Sequence, residues 1–433
     1  MRIHRLHAIL LAALLSTTAY ADSSQPEHWN APRGAREQIA AATTVSKERL
    51  ARIDALMQQY VDENLIAGAV ALILQNGQPV YQHAAGWADK EAGRRMSNDT
   101  IFRIASQTKA LTSVAILQLQ EQGKLLVTDP VSKFIPQFAS TTVFEKNESG
   151  GRIVPATRPI TLRDLLTHTA GISYGTDPQV AELYAAKGLG PAAGNGWYTA
   201  DKNEPTCTTM ERLASLPFVA QPGEAFVYGY NTDILGCVVE RASGMPLDEY
   251  FRVHITEPLG MKDTHFFLPK DKRHRLAAVY ASGADGKIVR AADDAKGQGH
   301  YVDGPRKNFA GGAGLLSTAA DYARFMEAIR NGGALGNVRI LSPRSVALMT
   351  TDQIGDLYRP GMGFGFGFEV VERYGASGME APGSFGWGGA YGTNYRVDPT
   401  SGLVVILMIQ LMPNKTDFRE KFANLVNQAL LPE

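Results

Sequence analysis

A chain of 433 residues with 44% hydrophobic and 20% charged side chains can bury a large core, and that composition excludes a disordered or fibrous protein. Forty-three basic residues balance forty-three acidic ones. No broad electrostatic field would therefore hold nucleic acid or an anionic membrane surface.

The chain opens with Arg2, His4 and Arg5, then the apolar run Ala8 to Leu15, then Ala19-Tyr20-Ala21. A basic start, a short apolar core and a small-x-small end are the marks of a secretory signal peptide over residues 1–21. The mature chain is expected to begin near Asp22, in the periplasm or outside the cell. The apolar run is far shorter than a bilayer-spanning helix, so no stable membrane insertion is expected after cleavage.

Lys47 to Glu63 carries Leu50, Ile53, Leu56, Met57 and Val61 at helical spacing and predicts an amphipathic helix. Gly68 to Leu74 and Gln78 to Gly86, joined by Asn76-Gly77, predict a β-hairpin. A helical pattern opens at Ser106 and ends at Gly123; another ends at Gly171, and a third runs past Val239 to Ser243-Gly244. Near the C-terminus, Phe364 to Val371, Gly383 to Val397 and Leu403 to Met408 are strand-like, and Phe418 to Leu431 predicts a closing helix. Strands at both ends with helices and loops between them predict an α+β fold. Residues 22–100 and 315–433 would form a helix-flanked antiparallel sheet domain, and residues 101–314 a large, mostly helical insertion. Cys207 and Cys237 are the only cysteines. Two free thiols are expected, because a domain of this size needs no staple and Cys237 falls inside a helical run.

Four segments carry candidate chemistry. In Ser106-Gln107-Thr108-Lys109 the serine and lysine lie three apart on one helix face, within reach of each other. A helix start and burial both disfavour an ammonium, and the uncharged amine is the form that takes a proton from a serine. In Tyr228-Gly229-Tyr230 a phenol beside that pair could relay the proton, and Tyr228 is the tyrosine expected to do so. The glycine-dense run from Gly383 to Gly392, with Trp387-Gly388-Gly389 inside it, marks a strand that another backbone or a ligand approaches closely. Its Ala390 N–H, with the N–H of Ser106, could form an oxyanion hole. His168 in Leu165-Leu166-Thr167-His168 reads as a structural histidine bracing a loop. Gly171-Ile172-Ser173-Tyr174-Gly175 imitates a nucleophile elbow, but what precedes it is helical, and Ser173 is expected in a loop. The nine histidines include no pair at helical ligand spacing with a nearby glutamate, so neither a metal nor another cofactor is implied.

Taken in order, Ser106-x-x-Lys109, Leu165-Leu166-Thr167-His168-Thr169-Ala170-Gly171, the Tyr228 motif and Trp387-Gly388-Gly389 resemble the motif series of the serine β-lactamase and penicillin-binding-protein superfamily. Within it the chain is similar to class C β-lactamases, and most of all to the β-lactamase-like family VIII carboxylesterases. The flanks Phe102-Arg103-Ile104-Ala105, Asp129-Pro130-Val131 and Gly311 to Asp321 match as well. The resemblance implies the β-lactamase/transpeptidase-like fold and a hydrolase working through an acyl-enzyme. Ser106, Lys109 and Tyr228 would be the catalytic residues, and Trp387, Gly388 and Gly389 would line the substrate pocket. The chain departs from the β-lactamases where their Tyr-x-Asn becomes Tyr228-Gly229-Tyr230 and their Lys-Thr-Gly becomes Trp387-Gly388-Gly389. Losing that lysine removes a cation for a substrate carboxylate. A small neutral ester is thus the expected substrate, with an amide of the β-lactam or D-peptide type as the alternative. A non-catalytic cell-wall-binding protein is the other alternative. Arg396 is the nearest arginine in sequence that could restore the lost charge. Nothing in the sequence points to an oligomeric state.

Overall fold

The run Gly68–Gln75 is apolar on both sides because it becomes a central strand covered on both faces. Val70 and Leu72 point into one core, while Ala69, Ala71 and Ile73 point into the other. The structure, a computed structural model, describes residues 43–147, 150–193, 199–292 and 301–432. The expected signal peptide and its cleavage site lie outside the described residues.

An eight-stranded antiparallel sheet joins the two ends of the chain. Its order is Met362–Phe364, Glu369–Val371, Phe385–Gly388, Asn394–Asp398, Leu403–Met408, Gly68–Gln75, Gln78–Asp89, Arg94–Arg95. The joint is the pairing of Leu403–Met408 with Gly68–Gln75, from Leu403 opposite Gln75 to Met408 opposite Val70. The Asn76-Gly77 turn has both residues at positive φ, 50° and 78°, as a two-residue hairpin of this kind requires. On one face the helices Lys47–Asp62 and Phe418–Asn427 bury Leu50, Ile53, Met57, Phe418 and Phe422. On the other lie the helices Thr108–Glu121 and Ala319–Arg330. Every residue from Thr108 to Leu119 is buried, so this helix is a core element rather than an amphipathic one. Among the described residues, no helix is long and apolar enough to cross a membrane.

The α+β expectation holds, with four local corrections. Phe364 to Val371 is not one strand. Met362–Phe364 and Glu369–Val371 pair with each other across a turn in which Gly367 has φ 94°. The Gly383 to Val397 run likewise folds back on itself, with Phe385 opposite Val397 and Gly388 opposite Asn394. The last helix stops at Asn427, and Leu430–Pro432 pairs with Thr43–Val45. Period-2 and period-3.6 patterns locate apolar faces, but they do not show where a glycine lets the chain reverse.

The fourth correction concerns the cysteines: Cys207 and Cys237 form a disulfide. The helices Thr206–Leu213 and Asn231–Ser243 pack so that these residues face each other with Cα atoms 4.9 Å apart. Sitting inside a helix does not prevent a bridge when a second helix presents its cysteine from the side. The bond closes a 30-residue loop, which constrains the unfolded chain by roughly 3 to 4 kcal/mol. Reduction should therefore lower the unfolding free energy by roughly that amount. Urea denaturation with and without reductant measures it, and identical midpoints would show that the two cysteines are not bridged.

Candidate active site

Ser106 sits just before the helix, not within it. It occupies a 3-10 turn, Ala105–Gln107, and the α-helix begins at Thr108. Ala105 has φ 43°, a left-handed conformation that costs a residue with a Cβ some strain. The surroundings enforce it. The Ile104 N–H donates to Leu315 O at 3.1 Å, the Leu315 N–H to the Thr108 hydroxyl at 3.0 Å, and Tyr322 OH to Gln107 O at 2.9 Å. The chain is thus clamped on both sides of the serine.

One turn on, Lys109 is 2% exposed. Its Nζ lies 3.2 Å from Ser106 Oγ, 2.8 Å from Tyr174 OH and 2.8 Å from Gly312 O. A carbonyl only accepts, so one N–H belongs to Gly312. With a second on Tyr174, an uncharged amine directs its lone pair at the serine hydroxyl. That is the geometry a general base needs. Tyr174 is a neutral phenol at this contact, because burial, reinforced by Tyr228, Asp233, Tyr230 and Tyr301, holds its pKa well above the usual tyrosine value.

Tyr228 completes the cluster from above. Its hydroxyl accepts the Trp387 indole N–H at 3.0 Å, and Lys109 Nζ lies 4.6 Å from the centre of its ring. An indole N–H can only donate, so the phenolic proton of Tyr228 stays free to point elsewhere in the cleft. The Tyr228 loop is pressed onto the Ile172-Ser173 segment: a Cβ on Gly229 would lie 2.2 Å from Ile172 O. Tyr230, the competing tyrosine, is buried away from the serine and its hydroxyl accepts from the Gly190 N–H.

His168 braces this loop, as its sequence context suggested. It is fully buried, its ring lies 4.7 Å from that of Tyr228, and its Nδ1 accepts from Asn231 Nδ2 at 2.9 Å. Burial, aided by the nearby Lys109 charge, keeps its pKa well below the ordinary histidine value. It is a neutral brace. Asn231 also donates to Ile172 O and Val227 O, so it ties three segments together. Ser173 lies in irregular chain, buried, with its hydroxyl accepting from the Gly175 N–H.

The hairpin turn after Phe385–Gly388 packs against the serine turn. A Cβ on Gly389 would lie 2.4 Å from Ile104 O and 2.3 Å from Thr393 Oγ1, so only glycine fits. Gly389 and Gly392 donate the turn's own hydrogen bonds. Ala390 is exposed and, like Ser106, borders a cleft of about 860 Å³. Trp387, Gly388 and Gly389 line the same cleft.

Arg396 also borders it, but not as a free cation. Its guanidinium is bonded to Glu369 at 2.6 Å and Glu380 at 3.1 Å. Glu369 also receives Arg359 and the Tyr358 hydroxyl, and Arg419 pairs with Glu420. The cleft wall thus holds three arginines and three glutamates, and each arginine has an acidic partner.

Sequence reasoning placed Ser106, Lys109, Tyr228, Trp387, Gly388, Gly389 and Ala390 at one site, and the structure brings them together around one cleft. It missed Tyr174 and Asp233. Tyr174 stood in plain view inside the false nucleophile elbow. No local pattern could connect it to a lysine 65 positions away.

The model of the Beta-lactamase family matches residues 53–430. The chain belongs to that family. It is 34% identical to the esterase EstB of Burkholderia gladioli over 83% of this chain and 89% of that protein. It is equally similar, at 34%, to an uncharacterised protein of Mycobacterium tuberculosis, over 83% of this chain and 90% of that one. Among solved structures, EstCE1, a hydrolase with promiscuous acyltransferase activity, superposes with a TM-score of 0.74 at 29% identity. That match covers 88% of this chain and 99% of EstCE1.

The fit of Gly389 against Ile104 sets a measurable expectation. Gly389→Ala must push the turn off the serine, and displacements of about 1 Å in such sites cost ten- to a hundredfold in rate. Labelling of Ser106 by a fluorophosphonate should slow at least about tenfold while near-ultraviolet circular dichroism is unchanged. Labelling at the wild-type rate would show that the turn does not shape the site.

Proposed function

We propose that this member of the family is a carboxylesterase acting on short neutral esters through an acyl-enzyme. Lys109 takes the proton of Ser106 as the hydroxyl attacks the ester carbonyl, and the N–H groups of Ser106 and Ala390 receive the oxyanion. Tyr228, its hydroxyl oriented by the Trp387 N–H, gives its proton to the departing alcohol and takes in exchange the proton that Lys109 received from Ser106. Water then attacks the acyl-enzyme by the reverse relay and releases the acid.

The observation that carries the substrate class is the pairing of charge in the cleft. A carboxylate gains about 1.5 to 3 kcal/mol from a charge-assisted bond. Arg396 is already held by two glutamates, and Trp387 stands where the β-lactamases carry a lysine. A penicillin, a cephalosporin or a peptide C-terminus would compete with those glutamates for the guanidinium charge. A neutral ester meets no such competition. The similarity to the esterase EstB and to the hydrolase EstCE1 agrees with this reading. The basic, apolar and Ala-x-Ala segments at the N-terminus support export to the periplasm or beyond, which N-terminal sequencing of the exported chain tests.

Short p-nitrophenyl esters should be turned over with kcat/KM at least about a hundredfold above that for a chromogenic cephalosporin or a D-Ala-D-Ala peptide, a gap of about 2.7 kcal/mol. Comparable values for the amides would overturn the ester reading.

Ser106→Ala and Lys109→Ala should each lose about a thousandfold or more in kcat, and the double variant little beyond either single one. Tyr228→Phe should lose about a hundredfold, the range of an acid–base group. A fully active Tyr228→Phe beside an inactive Tyr174→Phe would move the relay to the other phenol.

A further inference from the structure

The Gly311–Leu315 strap is gripped residue by residue. The Thr112 hydroxyl donates to Gly311 O at 2.7 Å, and Gly312 N–H donates to Asp233 Oδ1 at 3.0 Å. These two atoms belong to one peptide plane, so that plane is pinned at both ends, by the serine helix on one side and by the helix after Tyr228 on the other. The next carbonyl, Gly312 O, accepts the Lys109 N–H at 2.8 Å. Beyond it, Tyr301 OH donates to Ala313 O. There is no slack in the packing: a Cβ on Gly312 would lie 2.4 Å from Asp233 Oδ2, and one on Gly311 2.8 Å from Thr232 O.

Asp233 is 2% exposed. Burying a carboxylate is costly, and natural folds keep one there when it has a specific partner. Here the carboxylate accepts the N–H of Gly312, in the strap that receives the lysine.

We propose that Asp233 is a positioning residue for Lys109, which holds the Gly311–Gly312 peptide so that Gly312 O fixes the amine with its lone pair on Ser106. The inference rests on the reading of Lys109 as the base for Ser106. The groups facing the carboxylate are Lys109 from the serine helix, Tyr174 from the loop after His168, and Tyr230 at the start of its own helix. Lys109 is the cation among them. Burial raises the carboxyl pKa of Asp233 to about 6, against the opposing pull of Lys109 and the Gly312 N–H. Asp233 thus bears on Lys109 in two ways, through the strap it holds and through its own charge.

The sign follows directly. Asp233→Asn keeps an acceptor for Gly312 but removes the anion that faces the reacting amine. The acid limb of kcat, and of the rate at which a fluorophosphonate labels Ser106, should move to lower pH by at least about half a unit. Asp233→Ala removes the grip as well. Its kcat should fall at least about tenfold with KM within about twofold, the pattern of a misplaced base and not of lost binding.

A role confined to stability would lower the melting temperature but leave the acid limb in place. An Asp233→Asn protein that labels at Ser106 with the wild-type rate and pH profile would overturn the inference. If Asp233→Ala does not fold, Thr112→Val loosens the same peptide from its other end. There kcat should fall at least about threefold at unchanged KM, and a wild-type kcat would count against the proposal. Label appearing on a residue other than Ser106 would instead bring down the reading of the nucleophile, and this inference with it.

Discussion

The structure depends on one buried nitrogen. Lys109 Nζ is held between Ser106, Tyr174 and Gly312 within 3.2 Å of each. A lysine end buried in a core must have its hydrogen-bonding capacity met, because an unpaired polar group there costs several times what a satisfied one contributes. Meeting it takes one atom from each of three distant stretches of chain. The serine turn, the loop carrying Tyr174 and the glycine strap can be assembled only in one arrangement. The demands of a stable core and of a proton-accepting amine coincide at this point.

Around that nitrogen, besides the Asp233 carboxylate, the protein builds with aromatic rings. Tyr228 lies against His168, Tyr174 and Trp387, with ring centres 4.7 to 5.8 Å apart. Rings at these distances, tilted or edge-on, pack tightly and hold one another's orientation. His168 serves as a member of this stack, and its burial keeps it neutral. Two devices then set the roles of the hydroxyls. The donor-only indole of Trp387 makes the Tyr228 oxygen an acceptor, and Lys109 takes up the oxygen of Tyr174.

Charge is displaced to the cleft wall and neutralised there. Glu369 stands at the centre of that network, receiving Arg396, Arg359 and the Tyr358 hydroxyl, and its burial is tolerable only because these partners are present. Burial by itself would raise the pKa of Glu369, but Arg396 and the other partners outweigh it and hold the carboxyl below the ordinary glutamate range. The wall is therefore polar, with each arginine of this cluster facing a glutamate.

The local patterns of the sequence determined most of the elements and the identity of the chemical groups. A continuous apolar run that ends at Asn76-Gly77 specifies a strand and its hairpin turn, because apolar runs and turn chemistry are properties of a few neighbouring residues. Ser106 and Lys109 could be paired because three positions on a helix are always close. Tertiary structure alone decided the rest. It joined Cys207 to Cys237, split the strand-like runs at Gly367 and at Gly389, occupied Arg396 with two glutamates, and set Tyr174 and Asp233 around Lys109. Each of these is a contact between segments remote in the chain. Which remote segments meet is settled by the packing of whole helices against a whole sheet, and no stretch of sequence carries that information by itself.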